Sequence, residues 1–576
     1  MRYIKLPAIY ILILSLLLAG CAGGAAQTQG PSPDVKTVDS ADKGSGKTAE
    51  ENKAEQAKAE QIKAREELEA QRKTELGEFY VPLPALGQEP ERKPVKAKAL
   101  YLTANVAGFD FNEDDVNYYA DYIRAISGQS GKAADASRLG EVNKLEKALG
   151  ICEATEINAL VIDIKNDNGV VAWSSDIGLV NQIRSNATAP IKNYEKLMDY
   201  LEKKDIYRIA RIVAFKDPFF AEVKSEHAIQ LKSGGVYKDY SGKMWVNPFD
   251  EYVWKYVAAI SKEAAIRGFQ EIQYDYVRFP DDAKTYNPIT NFPGRNGRDK
   301  DEGIEDFLKY AKSELEPYHV FVSADVFGII THSWDDKPED IGQTWRKIAN
   351  HVDYICPMIY PSHYGPGLYG FQVPDQHPYE IVRLSLSEAI ERNAAQKDPG
   401  IIRPWIQGFN APWVKGHINY DARTIATQLV ACMELGIDEY IIWNASNIYD
   451  PMTFFYHDRI NQGARQSGKD ILSRTPEEAL KKYLEAEKDR RYSVVYLLTP
   501  ITQRPEDYDE LVSEREKDTA ALKRFDILGI AKNENGTFTA TVRTEYAADA
   551  GGTTAAQETK FKIVLEKDVY KVVKAE

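Results

Sequence analysis

Two short stretches place an aspartate near the end of an apolar, β-rich run. They are Glu271-Ile272-Gln273-Tyr274-Asp275-Tyr276-Val277-Arg278-Phe279-Pro280 and Phe321-Val322-Ser323-Ala324-Asp325-Val326-Phe327-Gly328. On an extended chain alternate side chains share a face, so Gln273, Asp275 and Val277 point one way. Val322, Ala324 and Val326 suit an apolar layer, which turns Ser323 and Asp325 to the other side. If the two runs are neighbouring strands, two carboxylates meet at one end of a sheet. Such a pair suits hydrolysis of a glycosidic bond. One carboxyl, Asp325, is protonated and donates to the leaving oxygen; the other, Asp275, is ionised and acts as nucleophile or activates water. Closeness itself pushes the two pKa values apart. Strands lie about 4.8 Å apart, which permits the short separation of a retaining enzyme, but layer stagger leaves retaining and inverting both open. The plain alternative for each aspartate is a helix cap or an ion pair, with Arg278 the nearest partner for Asp275.

Candidates for substrate contact surround this pair. Asp163 and Lys165 share a face in Val161-Ile162-Asp163-Ile164-Lys165, and read either as a simple ion pair or as groups that orient substrate and tune Asp275. All eight tryptophans fall between Trp173 and Trp443. Trp405 and Gln407 share a face of one run, Trp443 ends another, and Tyr360 ends a third with His363 and Tyr364 beyond it. Sugar rings stack their C–H faces on aromatic rings, and Gln407, Tyr360, His363 and Arg278 suit polar contacts. Core packing is the ordinary competing use of tryptophan. Other chemistries find little support. The eight histidines form no HExxH or HxH pair, no GxSxG elbow occurs, and Asn166-Asp167-Asn168-Gly169 lacks the rest of a calcium loop. No metal and no cofactor are expected.

The residues above must be held by regular elements. Eight strand candidates can be counted: 99–106, 159–165, 208–215, 271–277, 321–327, 354–360, 402–408 and 439–445. Helical patterns lie between them, at 194–202, 254–267, 304–314, 341–349, 379–393 and 423–435. Near-continuous apolar strands alternating with helices indicate a parallel sheet, and eight such units indicate an α/β fold closed as a (β/α)8 TIM barrel. The alternative, an open doubly wound sheet, calls for a glycine-rich turn after its first strand; here that turn reads Asn105-Val106-Ala107-Gly108-Phe109. Connections after the third, fourth and sixth strands are long (216–250, 280–302 and 361–377), whereas those leading into strands are short, as a barrel with one functional rim requires.

Four regions are expected. The chain has 576 residues, 43% apolar and 28% charged, and 87 acidic against 73 basic side chains give a net charge of −14. That balance argues against nucleic acid as a partner. Arg2 and Lys5 precede an apolar run, 9–18, too short to span a bilayer comfortably. The run ends Leu18-Ala19-Gly20-Cys21, which resembles a bacterial lipobox and implies export, cleavage before Cys21, lipidation of Cys21 and attachment to the membrane through that lipid. Residues 1–20 are then a signal peptide, and 21–95 a disordered or solvated helical tether, because 49–77 are rich in alanine and charge but carry no apolar stripe. Within it, Ala41–Thr48 fits a relaxed phosphate-loop pattern without the flanking strand such a loop needs. Residues 96–468 form the barrel. From 470 to 576 a small α+β domain is expected: Thr475-Pro476-Glu477-Glu478 starts a helix, Asn535-Gly536 marks a hairpin, and 561–565 and 569–573 read as strands. A helix followed by antiparallel strands resembles the fold of the nuclear-transport-factor-two superfamily. Cys152, Cys356 and Cys432 show no disulfide or zinc spacing and read as buried thiols.

Taken together, Tyr274-Asp275-Tyr276-Val277-Arg278-Phe279-Pro280, Ala99-Leu100-Tyr101-Leu102-Thr103, Val161–Lys165, Ser323–Gly328, Pro357-Met358-Ile359-Tyr360-Pro361-Ser362-His363-Tyr364 and Trp405-Ile406-Gln407-Gly408-Phe409 resemble the bacterial glycoside hydrolase barrel family formerly called domain of unknown function 4015. The resemblance covers roughly residues 97–450. It implies a glycoside hydrolase acting on a cell-envelope or extracellular polysaccharide. The Asp-x-x-Asp-x-Asp-x-Glu run of chitinases is absent, which speaks against a substrate-assisted chitinase mechanism. The competing readings are a glycan-binding lipoprotein that keeps the barrel as a scaffold, and a polysaccharide deacetylase, which would need a metal site.

Overall fold

The computed structural model describes residues 49–575 apart from 86, 88–90, 333–335, 457–467, 471, 473, 506–507, 517–520, 548–554 and 567–568. The expected signal peptide, Cys21 and the relaxed phosphate-loop pattern lie outside the described residues. The chain divides into two units, Met1–Lys63 and Ala64–Glu576. Of the first, only the opening of helix α1 (Ala49–Leu76) is described.

The second unit holds the barrel. Its strands are β1 (Lys98–Leu102), β2 (Ala159–Lys165), β3 (Tyr207–Val213), β4 (Glu271–Asp275), β5 (Phe321–Phe327), β6 (Tyr354–Ile359), β7 (Trp405–Gln407) and β8 (Tyr440–Trp443). Each pairs in parallel with the next; β6 meets β7 at Trp405↔Met358, and β8 returns to β1 at Lys98↔Tyr440, so the ring closes. The expected (β/α)8 barrel is the fold observed. Alternation along the strands separates two cores. Leu100, Ile162, Ile212, Ile272 and Val322 pack against the outer helices. Ala99, Tyr101, Val161, Ile209, Cys356, Trp405 and Ile441 fill the interior.

The N-terminal end of the barrel is closed by charge. Arg403 donates from Nη1 to both Glu271 oxygens at 2.8 and 2.9 Å and from Nε to Glu439 at 2.8 Å, while Ser323 and Tyr207 hydroxyls also reach Glu271. The guanidinium lies 3.6 Å from the Tyr354 ring centre. These partners offset the cost of burying the charge, although Arg403 Nη2 is buried without a hydrogen-bond partner among the described residues.

Several boundaries differ from expectation. The first strand stops at Leu102, because Thr103 accepts the Val106 N–H and caps a short helix, Ala104–Ala107. The seventh is interrupted at Arg403-Pro404: Ile401–Ile402 pairs with β6, and the barrel strand proper begins at Trp405. Pro404 has no N–H to offer a ladder. The segment expected to be wholly solvated is not so from residue 64 onward. Leu68 and Leu76 pack against the barrel core, and Phe79, Val81 and Leu83 are buried in it. Arg72 donates to the Tyr318 hydroxyl at 3.1 Å, and the Tyr80 hydroxyl to Glu69 at 2.8 Å.

Beyond residue 470, Thr475 and Glu478 form a reciprocal capping box with Pro476 at the first turn of the helix Pro476–Lys488. Strands β9 (Leu522–Lys532), β10 (Phe538–Tyr546), β11 (Gln557–Glu566) and β12 (Val569–Lys574) form one antiparallel sheet in sequence order. Gly536 takes φ +81 in the turn between β9 and β10. Leu480, Tyr483, Leu484, Val542, Phe561, Ile563 and Val572 give this α+β region its own core. It is joined to the barrel helix Pro378–Ala394 through Glu391, which receives Arg474 Nη1 at 2.8 Å and Lys482 Nζ at 2.6 Å. Burial opposes the charge on Glu391, yet Lys482 and Arg474 hold its carboxyl well below the usual carboxylate range.

Candidate active site

β4 and β5 run in register, Gln273↔Ser323 and Tyr274↔Ala324. The next step along both strands sets Asp275 level with Asp325 at the C-terminal mouth of the barrel, where catalytic groups of this fold are carried. Both carboxylates are nearly covered, Asp275 at 6% and Asp325 at 1% exposure.

Their surroundings are opposite in kind. Asp275 is surrounded by donors. Tyr276 has φ +47, in the left-handed region that bulky residues rarely adopt, and this turns its N–H back onto Asp275 Oδ1 at 2.6 Å. Arg211, on the inward face of β3, donates from Nε to Asp275 Oδ2 at 3.0 Å and adds a second bond from Nη2. Its Nη1 meets Asp163 Oδ1 at 2.5 Å, and the Tyr101 hydroxyl donates to Asp163 Oδ2 at 2.5 Å. Burial works against the Arg211 charge, but Asp163 and Asp275 raise its pKa well above the ordinary value.

Asp325 has no arginine bonded to it. Its Oδ1 accepts Gln273 Nε2 at 2.9 Å and Trp405 Nε1 at 2.6 Å, while Oδ2 is buried without a hydrogen-bond partner. Burial, then the facing Asp275 charge, push its carboxyl well above the usual range. Asp163 and Asp275 thus share one guanidinium to which Asp325 has no direct bond, and burial raises the Asp163 carboxyl as well, against the pull of Arg211.

Aromatic rings wall the mouth. Trp443 is half-buried and stacks on Tyr101 at 4.1 Å; Arg211 lies 5.3 Å from the Trp443 ring centre. Tyr360 is buried at the end of β6, its hydroxyl pushed up by burial and by Asp325 and Asp275. His363 is exposed, 5.3 Å from Tyr360.

The structure gathers Asp163, Asp275, Asp325, Trp405, Tyr360 and Trp443 around the mouth, and moves others away. A bulge between Asp163 and Lys165 turns Lys165 off the Asp163 face. Lys165 is fully buried instead, paired with Asp217 at 2.9 Å and donating to the Val213 carbonyl at 2.6 Å, so of the two readings of Asp163 and Lys165 the ion pair does not form. Arg278 bonds to the Phe279 carbonyl at 2.9 Å and Asp281 at 3.1 Å, not to Asp275. Gln407 is fully buried: Oε1 accepts the Ser362 N–H and hydroxyl, and Nε2 donates to Asp375 and the Phe409 carbonyl. It shapes the rim and has no atom left for a sugar. Trp405 spends its one N–H on Asp325. Arg211 and Tyr101 were not singled out from sequence. The signal was present, since Tyr207, Ile209 and Arg211 share the inward face of β3 by the same alternation that selected Asp275.

A family model described as "Putative glycosyl hydrolase domain" matches residues 134–449. No curated protein matches the chain. Among solved structures, a hypothetical protein from Ruminiclostridium thermocellum ATCC 27405 is 32% identical over 39% of this chain and 97% of its own, with a TM-score of 0.30. The PgaB (BpsB) glycoside hydrolase domain from Bordetella bronchiseptica is 11% identical over 62% of this chain and 95% of its own, with a TM-score of 0.38. The spore cortex-lytic enzyme SleL of Bacillus megaterium QM B1551 is 11% identical over 64% and 75%, with a TM-score of 0.34. At such overlap the likenesses add nothing to the family match.

Proposed function

The chain belongs to the glycosyl hydrolase domain family whose model matches residues 134–449, and from that premise we propose that it cleaves O-glycosidic bonds of a cell-envelope or extracellular polysaccharide with two carboxyls. The observation that carries this reading is the contrast between Asp275, bonded to Arg211 and its own chain's N–H, and Asp325, buried with a bare oxygen. In the proposed reaction the Asp325 O–H gives its proton to the leaving-group oxygen as the bond from that oxygen to the anomeric carbon breaks. The Asp275 carboxylate either attacks that carbon, water then releasing the sugar from it, or takes a proton from the water that attacks directly. Arg211 and Asp163 position Asp275, Gln273 and Trp405 position Asp325, and Tyr360 and Trp443 contact the sugar. The reading includes attachment through a lipid on Cys21, to be checked by radiolabelled palmitate incorporation in the wild type and its loss in Cys21→Ser.

The test is product release from envelope polysaccharides by wild type, Asp275→Asn and Asp325→Asn. Each substitution is expected to cost about 10²–10⁴-fold; wild-type rates in either variant would refute the roles. The near-complete cover of both carboxyls and the ties on Asp275 favour a second reading, glycan binding without cleavage. Retention of polysaccharide with no release of reducing ends by the wild type would establish that one instead.

A further inference from the structure

The aromatic lining does not end at Tyr360. Phe409 lies 5.7 Å from Tyr360, edge to face, and Trp413 lies 6.2 Å from Phe409 with the two ring planes only 22° apart. His363 stands perpendicular to both, at 6.0 and 6.3 Å. Two near-parallel rings with an imidazole wall therefore lead from the carboxylate pair outward into the open. Trp413 is 65% exposed. A tryptophan that buries so little of its ring contributes little to folding, and this one is not isolated but joins a row of rings.

The loop that carries it is tied down on both sides. Asp375, fully buried, accepts Gln407 Nε2 and the Ile418 N–H, both at 3.1 Å, and its carbonyl accepts the Tyr420 hydroxyl at 3.1 Å. Gln376 Nε2 holds the Gly416 carbonyl at 2.7 Å, and the Tyr420 N–H bonds to Asn410 Oδ1 at 2.7 Å. Within the loop the Val414 N–H closes on Ala411 and the His417 N–H on Val414, at 2.9 and 3.0 Å. Rings presented on so fixed a backbone lose little freedom when a ligand lies on them.

We propose that Phe409 and Trp413, with His363 beside them, form an outer subsite on which pyranose rings of a polysaccharide stack as the chain leaves the barrel mouth. Continuity with the mouth through Tyr360 selects a chain that occupies both places. The neighbours Lys415 and His417 are exposed and polar, so the apolar area stays narrower than a protein partner or a bilayer surface would use. The direction of the chain rests on the hydrolase reading, whereas the stacking does not. The subsite makes the protein bind polymers better than short glycosides.

The test is native affinity electrophoresis of the full chain through gels holding glycol chitin, chitosan, dextran or arabinogalactan, with sedimentation on phosphatidylglycerol vesicles alongside. At least one polymer is expected to retard the wild type, with Trp413→Ala weakening that binding roughly tenfold and Trp413→Phe keeping most of it. Leu528→Ala, at an exposed position of β9, is expected to bind as the wild type does. Equal migration of wild type and Trp413→Ala in every polymer, retarded or not, overturns the subsite, as does Trp413-dependent sedimentation with vesicles in place of polymer binding. If Trp413→Ala loses binding while the wild type releases no product, the subsite stands and the hydrolase reading falls.

Discussion

Arg211 and Asp275 sit on adjacent strands and meet twice, through Nε at 3.0 Å and through Nη2, while the third nitrogen of the same guanidinium is given to Asp163. One cation thus serves two carboxylates inside the barrel mouth.

Removing that cation should be felt in stability as well as in rate. Arg211→Met leaves two covered carboxylates without a cation, a loss of about 3–5 kcal/mol by comparison with other buried pairs. Arg211→Lys keeps the charge but not the fork that spans two acids, and should recover only part of it. Urea unfolding midpoints of the three proteins decide; three equal midpoints would show that the fork is dispensable.

Asp325 predicts a pH signature. Its folded pKa lies above its unfolded value, so the folded chain keeps a proton that the unfolded chain releases. Stability attributable to this group therefore falls as pH rises above the ordinary Asp value of about 3.9, and stops falling once the folded carboxyl ionises. Asp325→Asn removes the effect while keeping an acceptor for Gln273 and Trp405. The variant should gain on the wild type between pH 4 and pH 7 in urea midpoint; a difference that does not change with pH would contradict the raised pKa.

Lys571 carries the opposite sign of shift at the other end of the chain. It is fully buried in β12 with Nζ donating to the Leu497 carbonyl at 2.6 Å, and burial lowers its pKa to about 7. As pH falls from about 10.4, the reference lysine value, toward 7, the unfolded chain takes a proton that the folded one refuses, and stability drops through that window. Lys571→Met should therefore compare more favourably with the wild type at pH 7 than at pH 10, where it lacks only a hydrogen bond worth about 1 kcal/mol. Denaturation curves at the two pH values test this, and the reverse ordering would refute it.

Arg403 separates stability from chemistry. It lies at the end of the barrel opposite the mouth, bonded to Glu271 and Glu439. Arg403→Met should destabilise by about 3–5 kcal/mol yet leave the rate per folded molecule within about twofold, because conserved function in this fold resides at the other face. A large fall in rate at full foldedness, read by circular dichroism beside the assay, would place Arg403 in the chemistry after all.

How much of this was legible in the residues depends on how local the signal is. Strands buried on both faces announce themselves as apolar runs, and the inward positions follow from alternation, which is why Asp163, Asp275, Asp325 and Trp443 fall together. Alternation puts Lys165 on the wrong face because it holds only on an unbroken ladder, and a single bulge reverses it. Spacing offers Gln407 and Trp405 as sugar contacts, but their polar atoms are spent on Ser362, Asp375 and Asp325, partners that no spacing rule supplies. The packing of Leu68, Leu76, Phe79, Val81 and Leu83 against the core is not legible in the residues, since sparse apolar positions give no stripe.

The acid at the foot of the small C-terminal region has a practical outcome. Glu391 belongs to a barrel helix, yet both cations that neutralise it, Arg474 and Lys482, arrive from beyond residue 470. A barrel expressed by itself would expose a lone carboxylate and an unfinished helix surface where those cations had been, and would be prone to aggregate. Attempts to study the barrel in isolation should carry a compensating Glu391→Gln, or keep the two parts as one piece.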